Sequence, residues 1–155
     1  MWLNEGMASL YEAAKYDNVA GRLIPLNNFR VLAFKRDARL IKNRLDSMLN
    51  NSWNGGEGTD VLPDMALSRY LCFYMEQKRW LSDYLGNLRA RANPDSVMTA
   101  EEARQVLLAS CHMRDLQELE TGFQQFIDEQ LGIATRHGHL RRKFTRGLYE
   151  RGRFR

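Results

Sequence analysis

Pro63-Asp64-Met65-Ala66-Leu67-Ser68-Arg69-Tyr70-Leu71-Cys72-Phe73-Tyr74-Met75 is the stretch whose spacing sets the fold class. Leu67, Tyr70, Leu71, Tyr74 and Met75 fall at i, i+3, i+4, i+7 and i+8. That recurrence matches the 3.6-residue period of a helix and gives one apolar stripe that a globular chain buries. Pro63 suits the first turn, where its missing N–H has no helical partner to lose. Downstream, Leu81, Tyr84, Leu85 and Leu88 repeat the pattern until Asn93-Pro94 stops it. The two halves read equally as one bent helix or as a tight pair.

The same period extends outward in both directions. Toward the N-terminus, Leu40, Ile41, Leu45, Met48 and Leu49 predict a helix over about 36–50, with Arg39, Lys42, Asn43 and Asp46 facing out. Residues 29–34 fit a helical turn or a short strand; the helical turn is favoured because nothing else offers a strand partner. Leu3, Met7, Leu10, Tyr11 and Ala14 predict an opening helix from about Trp2 to Lys15, broken by Asp17-Asn18, Gly21 and Pro25. Toward the C-terminus, Thr99-Ala100-Glu101-Glu102 has the form of a capping box and starts a helix carrying Val106, Leu107 and Leu108. Leu116, Leu119, Phe123, Phe126, Ile127 and Leu131 mark a last helix ending near Gly132. The expectation is an all-α domain, an irregular bundle of about five to seven helices over residues 1–133, followed by a basic tail over 134–155.

Composition narrows the function classes. The chain has 155 residues, 44% apolar, one ordinary domain by size. Its formal charge of +4 conceals an uneven distribution. Residues 136–155 hold seven Arg, one Lys and one Glu, so the rest of the chain is mildly acidic. Any argument for nucleic acid therefore rests on the tail. There Arg141, Arg142, Lys143, Arg146, Arg151, Arg153 and Arg155 alternate with Phe144, Tyr149 and Phe154, a pattern able to neutralise phosphates and stack on bases. No apolar run approaches the ~20 residues of a membrane span, so no membrane partner is expected. The first residues lack the basic start and apolar stretch of a signal peptide. Cys72 and Cys111 are too few for a disulfide framework and read as small core residues.

Most catalytic patterns are absent. The Gly-rich stretch Asn50 to Asp60 reads as a loop; no Gly-Lys-Ser/Thr follows it, which excludes a phosphate-binding P-loop. Glu57 and Asp60 lack an EF-hand pattern, and no Gly-x-Ser-x-Gly elbow occurs. Cys111 and His112 are adjacent, hence about 100° apart on a helix and unable to form a nucleophile–base pair. Glu101-Glu102 and the Glu118, Glu120 pair read as caps and solvated faces.

The exception is Trp2-Leu3-Asn4-Glu5-Gly6-Met7-Ala8-Ser9-Leu10-Tyr11-Glu12. Glu5 stands near a helix N-terminus, where the dipole favours a carboxylate. Gly6 costs helix stability, about 1 kcal/mol against Ala, and points to close approach by another backbone or helix. Asn-Glu-x-x-Ala after Trp-Leu resembles the third-ligand helix of the gluzincin zinc metallopeptidases, most closely the bacterial peptidase-MA-like proteins. The stretches Ala66 to Tyr74 and Thr99 to Phe126 are similar to later helices of those proteins, so the likeness covers residues 2 to about 131.

The resemblance implies that Glu5 is a third zinc ligand, with Asn4, Gly6, Ala8 and Ser9 as supporting motif positions. It also implies a peptide substrate for the intact parent and assigns Tyr70 a place as a candidate oxyanion-binding tyrosine, against its reading as part of the apolar stripe. The family's His-Glu-x-x-His, which supplies two zinc ligands and the general base, is missing; the histidines are His112, read as a partly exposed residue at a helix start, and His137 and His139 in the basic tail. The chain thus resembles the C-terminal part of such an enzyme, expected to bind no zinc and to be inactive alone. It would associate with the missing segment, or with itself, through Leu3, Met7 and Leu10. The alternative is a non-enzymatic helical interaction module with a nucleic-acid-binding tail.

Overall fold

The computed structural model describes residues 2–50, 62–91 and 98–136. Their order is α1 (Trp2–Leu10), β1 (Ala14–Asp17), β2 (Arg22–Pro25), a 3-10 turn (Phe29–Val31), α2 (Leu32–Arg36), α3 (Leu40–Leu49), α4 (Leu62–Gln77), α5 (Trp80–Arg91), α6 (Ala100–Ser110) and α7 (Leu116–Arg136). The chain is predominantly all-α, with seven α-helices and one two-stranded sheet among the described residues.

Helix α4 is the axis of the molecule. From Ala66 to Met75 every residue is buried, so the helix is covered all round rather than along one stripe. It packs against α1, α2, α3, α5, α7 and the 3-10 turn. Aromatic rings fill the space between α4 and α7: Phe73 meets Phe126 edge-on at 5.4 Å, and Tyr74 stacks on Phe123 at 5.9 Å. Such pairs add to the burial of their large apolar surfaces. Cys72 and Cys111 are both fully buried core residues, as their spacing predicts.

The expected stripe of α3 is buried residue for residue: Leu40, Ile41, Leu45, Met48 and Leu49. Residues 29–34 turn helical, first as the 3-10 turn and then as α2. Between α4 and α5, Lys78 and Arg79 make a tight turn, so these are two helices. Arg79 takes a left-handed conformation (φ 62°) there. The capping box of α6 forms in full, Thr99 accepting from the Glu102 amide while the Glu102 carboxylate accepts from Thr99.

Three sequence expectations need correction. The opening helix stops at Leu10, and Ala14–Asp17 pairs antiparallel with Arg22–Pro25, Tyr16 opposite Leu23. The turn is closed by Asp17, whose Oδ1 accepts from the amides of Val19 (2.9 Å) and Ala20 (3.1 Å), while Gly21 supplies a φ of 63°. The same residues that break a helix are those that build a hairpin. Second, α7 continues through Gly132 to Arg136, across the expected start of the tail. Third, His112 follows α6 rather than opening a helix. It is exposed, with φ 55°, in the turn before α7.

Candidate functional site

The buried face of α1 is Trp2, Gly6, Ser9 and Leu10; of the Leu3, Met7, Leu10 and Tyr11 stripe of the sequence reading, Leu10 alone belongs to it. Gly6 explains the rotation. A Cβ at this position would lie 2.5 Å from Cys72 Sγ and 2.5 Å from the Ser68 carbonyl oxygen. The small residue therefore sets the closest approach of α1 to α4, the role its presence in a helix implied. Ser9 Oγ donates to the Gly6 carbonyl at 3.2 Å, which satisfies a buried hydroxyl within the helix. Trp2 stacks on Tyr84 of α5 with ring centres 6.2 Å apart.

This docking fixes the remaining motif residues. With about 100° per residue, Glu5 lies on one flank of the buried face, and Leu3 and Met7 on the other. Glu5 is half-buried, and no hydrogen bond or ion pair holds its carboxylate among the described residues. Asn4 and Ala8 are exposed. Leu3 and Met7 are half-buried against the core, while Leu10 is fully buried within the chain. Leu10 thus has no surface left for a partner.

Tyr70 is fully buried on α4. Its hydroxyl reaches the Asn27 side-chain oxygen and the Asn28 carbonyl (3.1 Å), and accepts from the Asn28 amide at 3.2 Å. Burial pushes its pKa up to about 12. No hydrogen bond links it to Glu5 among the described residues: Tyr70 is taken up by Asn27 and Asn28, while Glu5 makes no such bond.

Sequence reasoning missed what surrounds Tyr70. Arg69 is fully buried, its Nη2 donating to the Leu26 carbonyl at 2.8 Å. Arg30, also buried, grips Glu12 with both terminal nitrogens. Asn27 Nδ2 donates to the Gln130 carbonyl of α7 at 2.9 Å, and Asn28 Oδ1 caps the 3-10 turn by accepting from Arg30 N at 3.0 Å. Together these groups clamp the segment between β2 and the 3-10 turn onto α4. The available signal was an arginine directly inside an apolar helical run, a position where a charge needs a partner.

Among the described residues, no group of three or more His, Cys, Asp or Glu is placed to hold a metal ion. Glu5 alone does not make a zinc site, which needs several protein ligands. His137, His139 and the tail residues Arg141, Arg142, Lys143, Arg146, Arg151, Arg153 and Arg155 lie outside the described residues, as do Asn93-Pro94 and most of the Gly-rich loop. No helix of the described residues is long and apolar enough to cross a membrane. In comparisons with known proteins, no family model, curated protein or solved structure matches this chain.

Proposed function

We propose that this chain is the C-terminal helical part of a gluzincin-type zinc metallopeptidase, and that Glu5 is the third zinc ligand of a site completed by residues outside these 155. The observation that carries the reading is the Trp-Leu-Asn-Glu-x-x-Ala motif, whose glutamate lies on a helix flank and makes no ion pair among the described residues. A ligand must keep its oxygens free for the metal and be held by its backbone. Here Gly6, the next residue, locks that backbone to α4. Ala8, one turn on and exposed, leaves room beside Glu5 for another helix. The side chains described do not by themselves fit zinc, so no step is assigned to a metal within this chain.

The test is to read the in-frame codons ahead of Met1 and to express the longer product. An upstream His-Glu-x-x-His, with about one zinc per chain that falls in the Glu5→Gln variant, is the expected result. No such motif, or zinc binding unchanged in Glu5→Gln, overturns the proposal. The present chain alone is expected to retain no zinc through gel filtration.

A further inference from the structure

Among the described residues, three guanidinium atoms are buried without a hydrogen-bond partner: Nε of Arg30, and Nε and Nη1 of Arg69. A buried charged donor left unmet is costly, and native proteins rarely tolerate one without a use for it. Here three occur on two neighbouring side chains. Among the described residues Glu12 is the one carboxylate ion-paired here, held by Arg30, and its charge also acts on Arg69 from farther off. Arg69 is hydrogen-bonded to a neutral carbonyl, and no ion pair engages it among the described residues. Burial draws the Arg69 pKa down; Tyr70 and Glu12 oppose the fall, and the nearby Arg30 adds to it. The arrangement is therefore two cations to one anion, in a place with little water.

The geometry around them is rigid where it matters. Arg69 projects from the middle of α4 and is fixed by the Leu26 carbonyl. Arg30 sits in the capped 3-10 turn, its backbone amide bonded to Asn28. Glu12 is different. It follows α1 in the lead-in to the hairpin, and its side chain is 48% exposed against 7% for Arg30. It is thus the element of this cluster that can swing out into water. Guanidinium forks match the planar, paired oxygens of carboxylate and the oxygens of phosphate.

We propose that Arg30 and Arg69 form a binding site for a small oxyanion, a carboxylate or phosphoryl group, at the base of the hairpin, with Glu12 as its internal competitor. The incoming anion displaces the Glu12 carboxylate from Arg30 and gives the free Arg69 donors an acceptor. This site is separate from Glu5 and stands or falls independently of any zinc chemistry.

The experiment is thermal unfolding of the intact chain against inorganic phosphate and, separately, acetate, with chloride holding ionic strength constant. A saturable rise in Tm of roughly 3–6 °C at about ten times the half-saturating concentration is expected. A response to phosphate alone identifies a phosphoryl site, and one to acetate alone a carboxylate site. The deciding variant is Glu12→Gln, a half-exposed change unlike any core substitution. It removes the competitor, so the midpoint of the titration should fall by about fivefold, the worth of one half-exposed ion pair. Arg69→Met should abolish the response, with Arg30→Met as the substitute if that variant does not fold. No saturable response to either anion, or a midpoint unmoved in Glu12→Gln, overturns the site and leaves the arginines as structural clamps.

Discussion

At the scale of single residues, two glycines in helices make opposite predictions. Gly6 faces α4, where an added Cβ would meet Cys72 Sγ and the Ser68 carbonyl oxygen at 2.5 Å each. Alanine favours the helix by about 1 kcal/mol, yet the Ser68 oxygen is backbone and has nowhere to go. Gly6→Ala should therefore lose stability, by about 1–3 kcal/mol net, as overpacked cores do. Gly86, in α5, has nothing within 4 Å of its ideal Cβ. Gly86→Ala should instead gain about 0.5–1 kcal/mol from helix propensity alone. Urea unfolding of the two variants measures both signs in one comparison. A stabilised Gly6→Ala would mean that α1 does not sit on α4 as described. It would also remove the reason for Glu5 to be held where it is.

At the scale of elements, local signals that serve one structure only were legible in the sequence. The Thr99 cap is one. Its hydroxyl accepts from the Glu102 amide at 3.2 Å, so Thr99→Ala should cost about 1 kcal/mol, read as a lower urea midpoint with an unchanged slope. The stripe of α3 is another, because its polar face is continuous and leaves a single solution. The hairpin was not legible, since Asp17-Asn18 and Gly21 end a helix and close a β-turn with equal ease. What separates the outcomes is tertiary: Glu12 is drawn to Arg30, 18 residues away, and Leu26 to Arg69, 43 residues away. Neither attraction has a local pattern. The candidate site divides the same way. Glu5 was singled out by a motif, whereas the arginine pair arises only when α4 and the 3-10 turn meet. The rotation of α1 was half legible. Gly6 announced close contact, but counting apolar side chains favoured Leu3 and Met7 over the small face that packs.

At the scale of the whole molecule, burial of α4 and its neighbours sets a pH limit on stability. Cys72 and Cys111 are fully buried, and burial pushes each thiol from its ordinary value near 9 up to about 12. Tyr70 is likewise moved from 10 to about 12, and burial also raises Tyr84. In the unfolded chain these groups lose their protons at ordinary values, whereas in the folded chain they keep them. The unfolded state thus binds fewer protons once the pH passes about 9, and stability must fall as pH rises. The contribution is fully present below about 9 and lost progressively toward about 12. Each group contributes a slope of up to about 1.4 kcal/mol per pH unit across its own window. Urea midpoints should therefore be nearly level from pH 7 to 8.5 and drop steeply above 9. Cys72→Ala separates this linkage from general charge repulsion. The variant removes a buried group beside Gly6, so it should be less stable at pH 7, yet its decline above pH 9 should be shallower by one group's slope. Parallel declines in the two proteins would mean that the Cys72 thiol ionises in the folded state, and that the axis of the bundle is open to solvent.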